Sequence, residues 1–237
     1  MQLKRTQTGF TLVEIAIVLV IIGLLLGGIL KGQEMITQAR IKNVVNDFNG
    51  ITAAHFAYLD RYRAVPGDDT GASTRWQNPN PPGGSRDGDG NGAINGEYMA
   101  PAAALTGAAP LANEESNVFW WHLRLAGFVA GATSGNAAWS QPVNAVGGIV
   151  GVQNGSPAPA AGSALSGLVL CSSNVPDKIA SAVDTQIDDQ RSATGQMFGY
   201  LQGPAQNSPS LTVAPANVAA TAYIESGSNQ YVVCKKL

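Results

Sequence analysis

Three groups of residues have the types and spacing to do chemistry. The first is Asp87-Gly88-Asp89-Gly90-Asn91-Gly92-Ala93-Ile94-Asn95, where oxygen donors alternate with glycines. A hard cation such as calcium is held by side-chain oxygens at alternate positions and a main-chain carbonyl beyond a sharp turn. The candidate ligands are Asp87, Asp89, Asn91, the Ala93 carbonyl, Asn95 and Glu97, the last beside Tyr98, where a bidentate carboxylate would complete such a loop. Asp-Gly and Asn-Gly pairs also make plain solvated turns, so two readings of this loop are open. The second group is a single residue, Glu14, the only ionisable member of the apolar run 10–30. A carboxylate within such a run is costly and marks function by default; it either reaches the membrane interface or meets a partner that neutralises it. The third group is Cys171 and Cys234, which lack the C-x-x-C spacing of a structural zinc or thioredoxin-like site. One disulfide in an oxidising compartment, or two free thiols, accounts for them.

Other chemistry has little support. The chain contains no phosphate loop, dinucleotide fingerprint, catalytic triad or HExxH motif. Its two histidines, His55 and His122, have no Ser, Cys or second His at motif distance, and packing is the better reading of both. Trp120 and Trp121 could form a carbohydrate platform, but large aromatics at helical spacing usually bury. These features argue against an enzyme.

Composition sets the frame. The chain has 237 residues, 45% hydrophobic and only 13% charged, with 28 Gly and 13 Pro, which implies long loops and a neutral polar surface. A net charge of -2 from 14 basic and 16 acidic residues gives no positive field for a phosphate backbone, so nucleic acid is not an expected partner.

The elements that must position these groups begin with the N-terminus. A short polar leader, residues 1–9, carries Lys4 and Arg5 and precedes the apolar run 10–30. At about 1.5 Å per residue this run spans roughly 30 Å, the thickness of a bilayer's hydrocarbon core. The basic leader favours a cytoplasmic N-terminus with the remainder outside. A cleaved secretory signal would be shorter and end at a small-x-small site.

The segment Gly9-Phe10-Thr11-Leu12-Val13-Glu14, with the basic leader before it and the apolar helix after it, resembles the N-terminus of type IV prepilins, including the pseudopilins of type II secretion. The resemblance covers about the first 30 residues. It implies that a prepilin peptidase cuts after Gly9 and methylates the new amine of Phe10. It also implies that Glu14, the fifth residue of the mature chain, pairs with the N-terminal amine of a neighbouring subunit. The implied partners are other pilin or pseudopilin subunits, the prepilin peptidase, an inner-membrane assembly platform and membrane lipid. The implied location is an inner-membrane single pass with its head in the periplasm or outside, later a filament. The sequence departs from many pilins in lacking a proline within the apolar helix, where Gly23, Gly27 and Gly28 stand instead.

Beyond the run, apolar residues Ile41, Val44, Val45, Phe48, Ile51, His55, Tyr58, Leu59 and Tyr62 recur at spacings of three and four, which predicts a helix continuing through 31–64 and stopping near Pro66-Gly67. From 10 to 63 it would measure about 80 Å. Residues 65–237 form the expected head. Helices are predicted over 113–127 and 176–187, and strands over 148–153, 167–171, 196–201, 220–225 and 230–235, the last two as a terminal hairpin. Gly131 to Ser140 and Ser156 to Ser166 read as loops. Asp184, Asp188 and Asp189 end the second of these helices, where they would bond loop amides or a cation or make a plain solvated turn. This segment resembles an Ile-Asp-Asp turn of some pseudopilin-like heads, with Gln190 where glycine is usual.

The expected fold is α+β: a long N-terminal helical spine on a small antiparallel sheet with short helices and long loops. A Cys171–Cys234 disulfide would staple the C-terminal region, as pilins often do. The expected function is that of a structural subunit, a minor pilin or a minor pseudopilin of a type IV pilus-like or type II secretion filament. The alternative is a membrane-stalked, calcium-dependent adhesin or substrate-binding head, with loops 66–110 as its contact surface.

Overall fold

The computed structural model describes Gly9 and residues 11–76, 87–99, 115–155, 165–202 and 222–237. The chain divides into two compact units, Met1–Ala39 and Arg40–Leu237. One helix, α1 (Leu12–Tyr62), contributes to both.

In the first unit every residue from Thr11 to Leu30 is exposed. Helix α1 is long and apolar enough to cross a membrane, and its apolar window buries nothing inside the protein. An all-round apolar helical segment left exposed by the described residues is suited to lipid or to other apolar helices.

In the second unit α1 has two faces. Ile41, Val44, Phe48, Ile51, Ala54, His55 and Tyr58 are buried, at the spacings read from the sequence. Arg63 ends the helix in the left-handed region, at φ 56°, three residues before the expected Pro66 stop. The rest of the unit comprises α2 (Ala72–Arg75), α3 (Glu115–Leu125), a 3-10 turn (Asn136–Ala138), β1 (Val150–Gly155), β2 (Gly167–Pro176), α4 (Asp177–Ile187), β3 (Met197–Leu201) and β4 (Gln230–Lys236).

The four strands form one antiparallel sheet in the order β1-β2-β4-β3. Successive side chains point to opposite faces of a strand, and both faces are covered. Val150, Val152, Leu170, Val175, Met197, Tyr231 and Val233 join α1, Phe119, Trp120 and Leu123 of α3, and Ile179 and Val183 of α4 in the main core. Val169, Cys171, Phe198, Tyr200, Val232 and Cys234 form a second layer with Tyr98 and Leu165. Trp121 and Trp139 meet edge to face, with centroids 5.2 Å apart, in a third cluster. Trp120 and Trp121 are therefore core residues and not a sugar platform.

Among the described residues the expected terminal hairpin does not form, residues 220 and 221 lying outside them. Residues 222–226 carry no strand, because β4 already lies between β2 and β3 and has no free edge. Their place is fixed by side chains: the Tyr231 hydroxyl accepts from the Ile224 amide at 2.8 Å. The sheet's own edges are closed by loops. A Cβ at Gly151 of β1 would collide with the Tyr98 carbonyl, and the Gly199 amide of β3 donates to the Ser192 carbonyl.

Cys171 and Cys234 face each other in the β2–β4 register and are joined by a disulfide across 63 residues of sequence, leaving no free thiol. In the chain-entropy account, closing a loop of that length stabilises by about 4 kcal/mol. The Cys171→Ala/Cys234→Ala double variant of the detergent-solubilised chain should lose stability of that order in urea unfolding, and reduction of the wild-type chain should reproduce the loss.

Candidate functional site

The start of α1 is built by two side chains. Thr11 precedes the first helical residue and Glu14 is the third residue of the helix, the T-x-x-E spacing of a capping box. The Thr11 amide and hydroxyl each donate to Glu14 Oε2 at 2.8 Å, and the Glu14 amide donates back to Thr11 Oγ1 at 3.3 Å. Within the single chain Glu14 therefore already has two donors, both from Thr11. Gly9 lies just outside the helix and is exposed, whereas Phe10 falls outside the described residues.

Residues 4–30 match the family model for the prokaryotic N-terminal methylation motif. That motif is typical of type IV prepilin-like proteins, and this chain carries it. Comparison with curated proteins and with solved structures gives no match. The match spans residues 4–30 of the 237.

The glycine-rich loop 87–95 is organised by carboxylates outside it. Pro66, Gly67, Asp68 and Asp69 are buried after the end of α1, so loop 66–110 does not begin as a free contact surface. The Gly67 amide donates to His122 Nδ1 at 2.9 Å, which gives that histidine a packing role. Asp68 accepts from the amides of Gly90 (2.6 Å) and Gly92 (2.8 Å). Glu115, at the start of α3, accepts from the amides of Asp89 (2.9 Å) and Asn95 (2.8 Å). Gly88 must be glycine for this approach, since a Cβ there would overlap the Asp68 backbone.

The six residues expected to ligate calcium separate in the structure. Asp89 meets Asp68 and Glu115, with one carboxylate oxygen of each lying within 4.8 Å of the others. Asp87 points elsewhere and accepts from the Ser73 amide and hydroxyl. The Asn91 and Asn95 side chains donate to Asp89 Oδ2, and Asn91 Oδ1 accepts from the Ala93 amide. Glu97 is exposed and outside the carboxylate trio. Asp68 and Glu115 were not singled out from the sequence; Asp68 sits behind a Pro-Gly turn and Glu115 reads as an ordinary first-turn acid. Burial pushes both carboxyls above their usual range, against the pull of the loop amides. Asp68 and Glu115 thus each favour a proton or a neighbouring cation.

Beside it, Asp69 accepts from the Tyr58 hydroxyl and from Arg75 Nη1, both at 2.6 Å, and from the Gly71 amide at 2.8 Å. Burial alone would raise its pKa, but the Tyr58 and Arg75 hydrogen bonds outweigh burial and hold the carboxyl below its ordinary value. Asp69 is a lock between α1 and the following turn rather than a cation ligand.

The second acidic group bonds loop amides, one of the two uses expected for it. Asp184 accepts from the Tyr223 hydroxyl at 2.7 Å and the Gln190 amide at 3.0 Å. Asp188 accepts from the Gln196 and Met197 amides, and Asp189 from the Arg191 amide and the Thr194 hydroxyl. Gln190 adopts φ 66°, the left-handed conformation for which glycine is the usual residue.

Burial pushes the Asp184 carboxyl from 3.8 up to about 6. A carboxyl whose pKa is raised by folding contributes stability below its unfolded value and loses it as pH rises through the folded one. The chain should therefore lose on the order of 2 kcal/mol between about pH 4 and pH 6 through this group. Asp184→Asn, measured by urea unfolding across that range, should flatten that part of the profile.

Proposed function

We propose that this chain is a structural subunit of a type IV pilus-like or type II secretion filament, placed as a minor pilin or minor pseudopilin. A prepilin peptidase cleaves after Gly9 and methylates Phe10, and the head, residues 65–237, is carried outside the cytoplasm. The observation that carries this reading is the coincidence, in one segment, of the methylation motif with a fully exposed apolar helix holding a single carboxylate. In this reading Glu14 pairs with the N-terminal amine of the next subunit. A charge that lipid solvates poorly then makes correct docking favourable and wrong register unfavourable. The disulfide accords with an oxidising compartment. A head wrapped in loops and larger than a bare filament shaft needs supports the minor subunit over the major one. The protein itself performs no catalysis in this role, and its partners are other subunits, the peptidase and the inner-membrane assembly platform.

The reading is tested by Glu14→Gln in the native host. The variant should still be cut and retained in the membrane, while its yield in sheared filaments or in the secretion complex falls at least about tenfold. Wild-type incorporation would remove the basis for the pairing.

A second reading, a calcium-steadied head used in adhesion or substrate recognition, is favoured by the convergence of Asp68, Asp89 and Glu115 from three separate segments. Calcium there would be held by these three, with Asp89 the only member of the sequence-derived ligand set. Ion saturation at about a hundred times its dissociation constant stabilises by about 2.7 kcal/mol. The solubilised chain should then melt several degrees higher in millimolar calcium than in chelator, and Asp89→Asn should abolish the difference. Equal melting in both would leave the trio as a hydrogen-bonding hub.

A further inference from the structure

We propose that Asn91 is a site of self-modification: its side-chain amide is lost through attack by the Gly92 backbone nitrogen, leaving aspartate or isoaspartate in the loop that Asp68 and Glu115 hold. Water is the only other reactant. Asn-Gly is the pair in which such an attack meets least obstruction, because glycine carries no side chain over its own amide. Asn91 and Gly92 are both exposed, so water reaches them.

Each reacting atom has a partner placed for it. The nucleophile is the Gly92 nitrogen, whose hydrogen is directed at Asp68 Oδ2 across 2.8 Å, within reach of a proton acceptor. Burial raises the Asp68 carboxyl above its usual range, which makes its anion a stronger base. The electrophile is Asn91 Cγ. Its oxygen, Oδ1, accepts from the Ala93 amide at 2.7 Å, where negative charge develops as the carbonyl is attacked. The Ala93 amide can only donate, so this contact itself distinguishes the oxygen of the side chain from its nitrogen. By reaching two residues on, Oδ1 also carries Cγ across the Gly92 peptide. The leaving nitrogen, Nδ2, donates to Asp89 Oδ2 at 2.8 Å.

The bond from the Gly92 nitrogen to Cγ forms as the amide proton passes to Asp68. The Cγ–Nδ2 bond then breaks, and the proton leaves with that nitrogen as ammonia. Water opens the remaining five-membered imide at either carbonyl, giving aspartate or isoaspartate. The product puts a carboxylate where Asn91 donated to Asp89, so the aged loop loses that bond and gains a negative charge beside the trio. The other Asn-Gly pairs lack this arrangement. Asn49 and Asn154 lie within α1 and β1, where the backbone is committed to helix and ladder. Asn95 is in the same loop, but its own amide is held by Glu115, and among the described residues no carboxylate takes the Gly96 amide.

The test ages the full-length chain in detergent at neutral pH with chelator present. Amide loss at Asn91 is read by peptide mass after digestion, with isoaspartate identified by enzymatic methyl transfer. The reference is the same chain unfolded in guanidinium with its disulfide reduced. Native Asn91 should react at least about tenfold faster than unfolded Asn91, a modest share of what a positioned proton acceptor supplies, and faster than native Asn95. A native rate at or below the unfolded one would overturn the proposal, because the same hydrogen bonds would then be locking the loop against attack. Asp68→Asn keeps the side-chain shape but takes no proton. It should remove the acceleration at Asn91 in a chain that still melts cooperatively, and an undiminished rate would overturn the role given to Asp68. Where Asp68→Asn fails to fold, the native and unfolded wild-type rates decide alone.

Discussion

A carboxylate on an otherwise apolar, exposed helical segment must find hydrogen-bond donors, and Glu14 is the residue on which that constraint falls. Lipid offers none, so the free group is unfavourable in the bilayer unless protein supplies partners. Thr11 supplies two within the same turn. That arrangement satisfies one oxygen of the carboxylate within the chain itself. The methylation motif over residues 4–30 places this device in the segment by which prepilin-like subunits are processed.

The head applies the same physics in a different setting. A chain with only 13% charged residues nevertheless buries Asp68, Asp69, Glu115, Asp177 and Asp184. Each accepts at least one backbone amide from a loop: Gly90 and Gly92 on Asp68, Gly71 on Asp69, Asp89 and Asn95 on Glu115, Gly227 on Asp177, Gln190 on Asp184. Backbone groups taken out of water need partners, and in a loop-rich fold with four strands carboxylates provide many of them. The acids therefore serve as joints between segments that secondary structure does not connect. Their cost is visible in the raised carboxyls of Asp68, Glu115 and Asp184.

Local pattern was readable from the sequence and distant convergence was not. The buried face of α1 follows from three- and four-residue spacing, and β1, β3, β4 and the start of β2 lie close to their expected places, since period and turn residues are local signals. The disulfide was readable as a pair because only two cysteines exist. Residues 222–225 of the strand expected over 220–225 carry no strand, because strand-forming composition says nothing about which edges of β4 are already occupied. In the acidic loop, the alternation of oxygens included Asp89 of the carboxylate trio but gave no sign of Asp68 or Glu115, more than twenty residues away on either side. Asp87, at the head of the motif, is captured by Ser73, a contact invisible in linear spacing.

The account stands or falls on the chemistry of the first residues. The most direct measurement is the intact mass of the chain recovered from sheared filaments and from membranes of the native host, followed by fragmentation of its N-terminus. A chain that begins with N-methylated Phe10 and is present in the filament fraction is the predicted result. A chain that begins at Met1 in both fractions, with Gly9 still joined to Phe10, would contradict it.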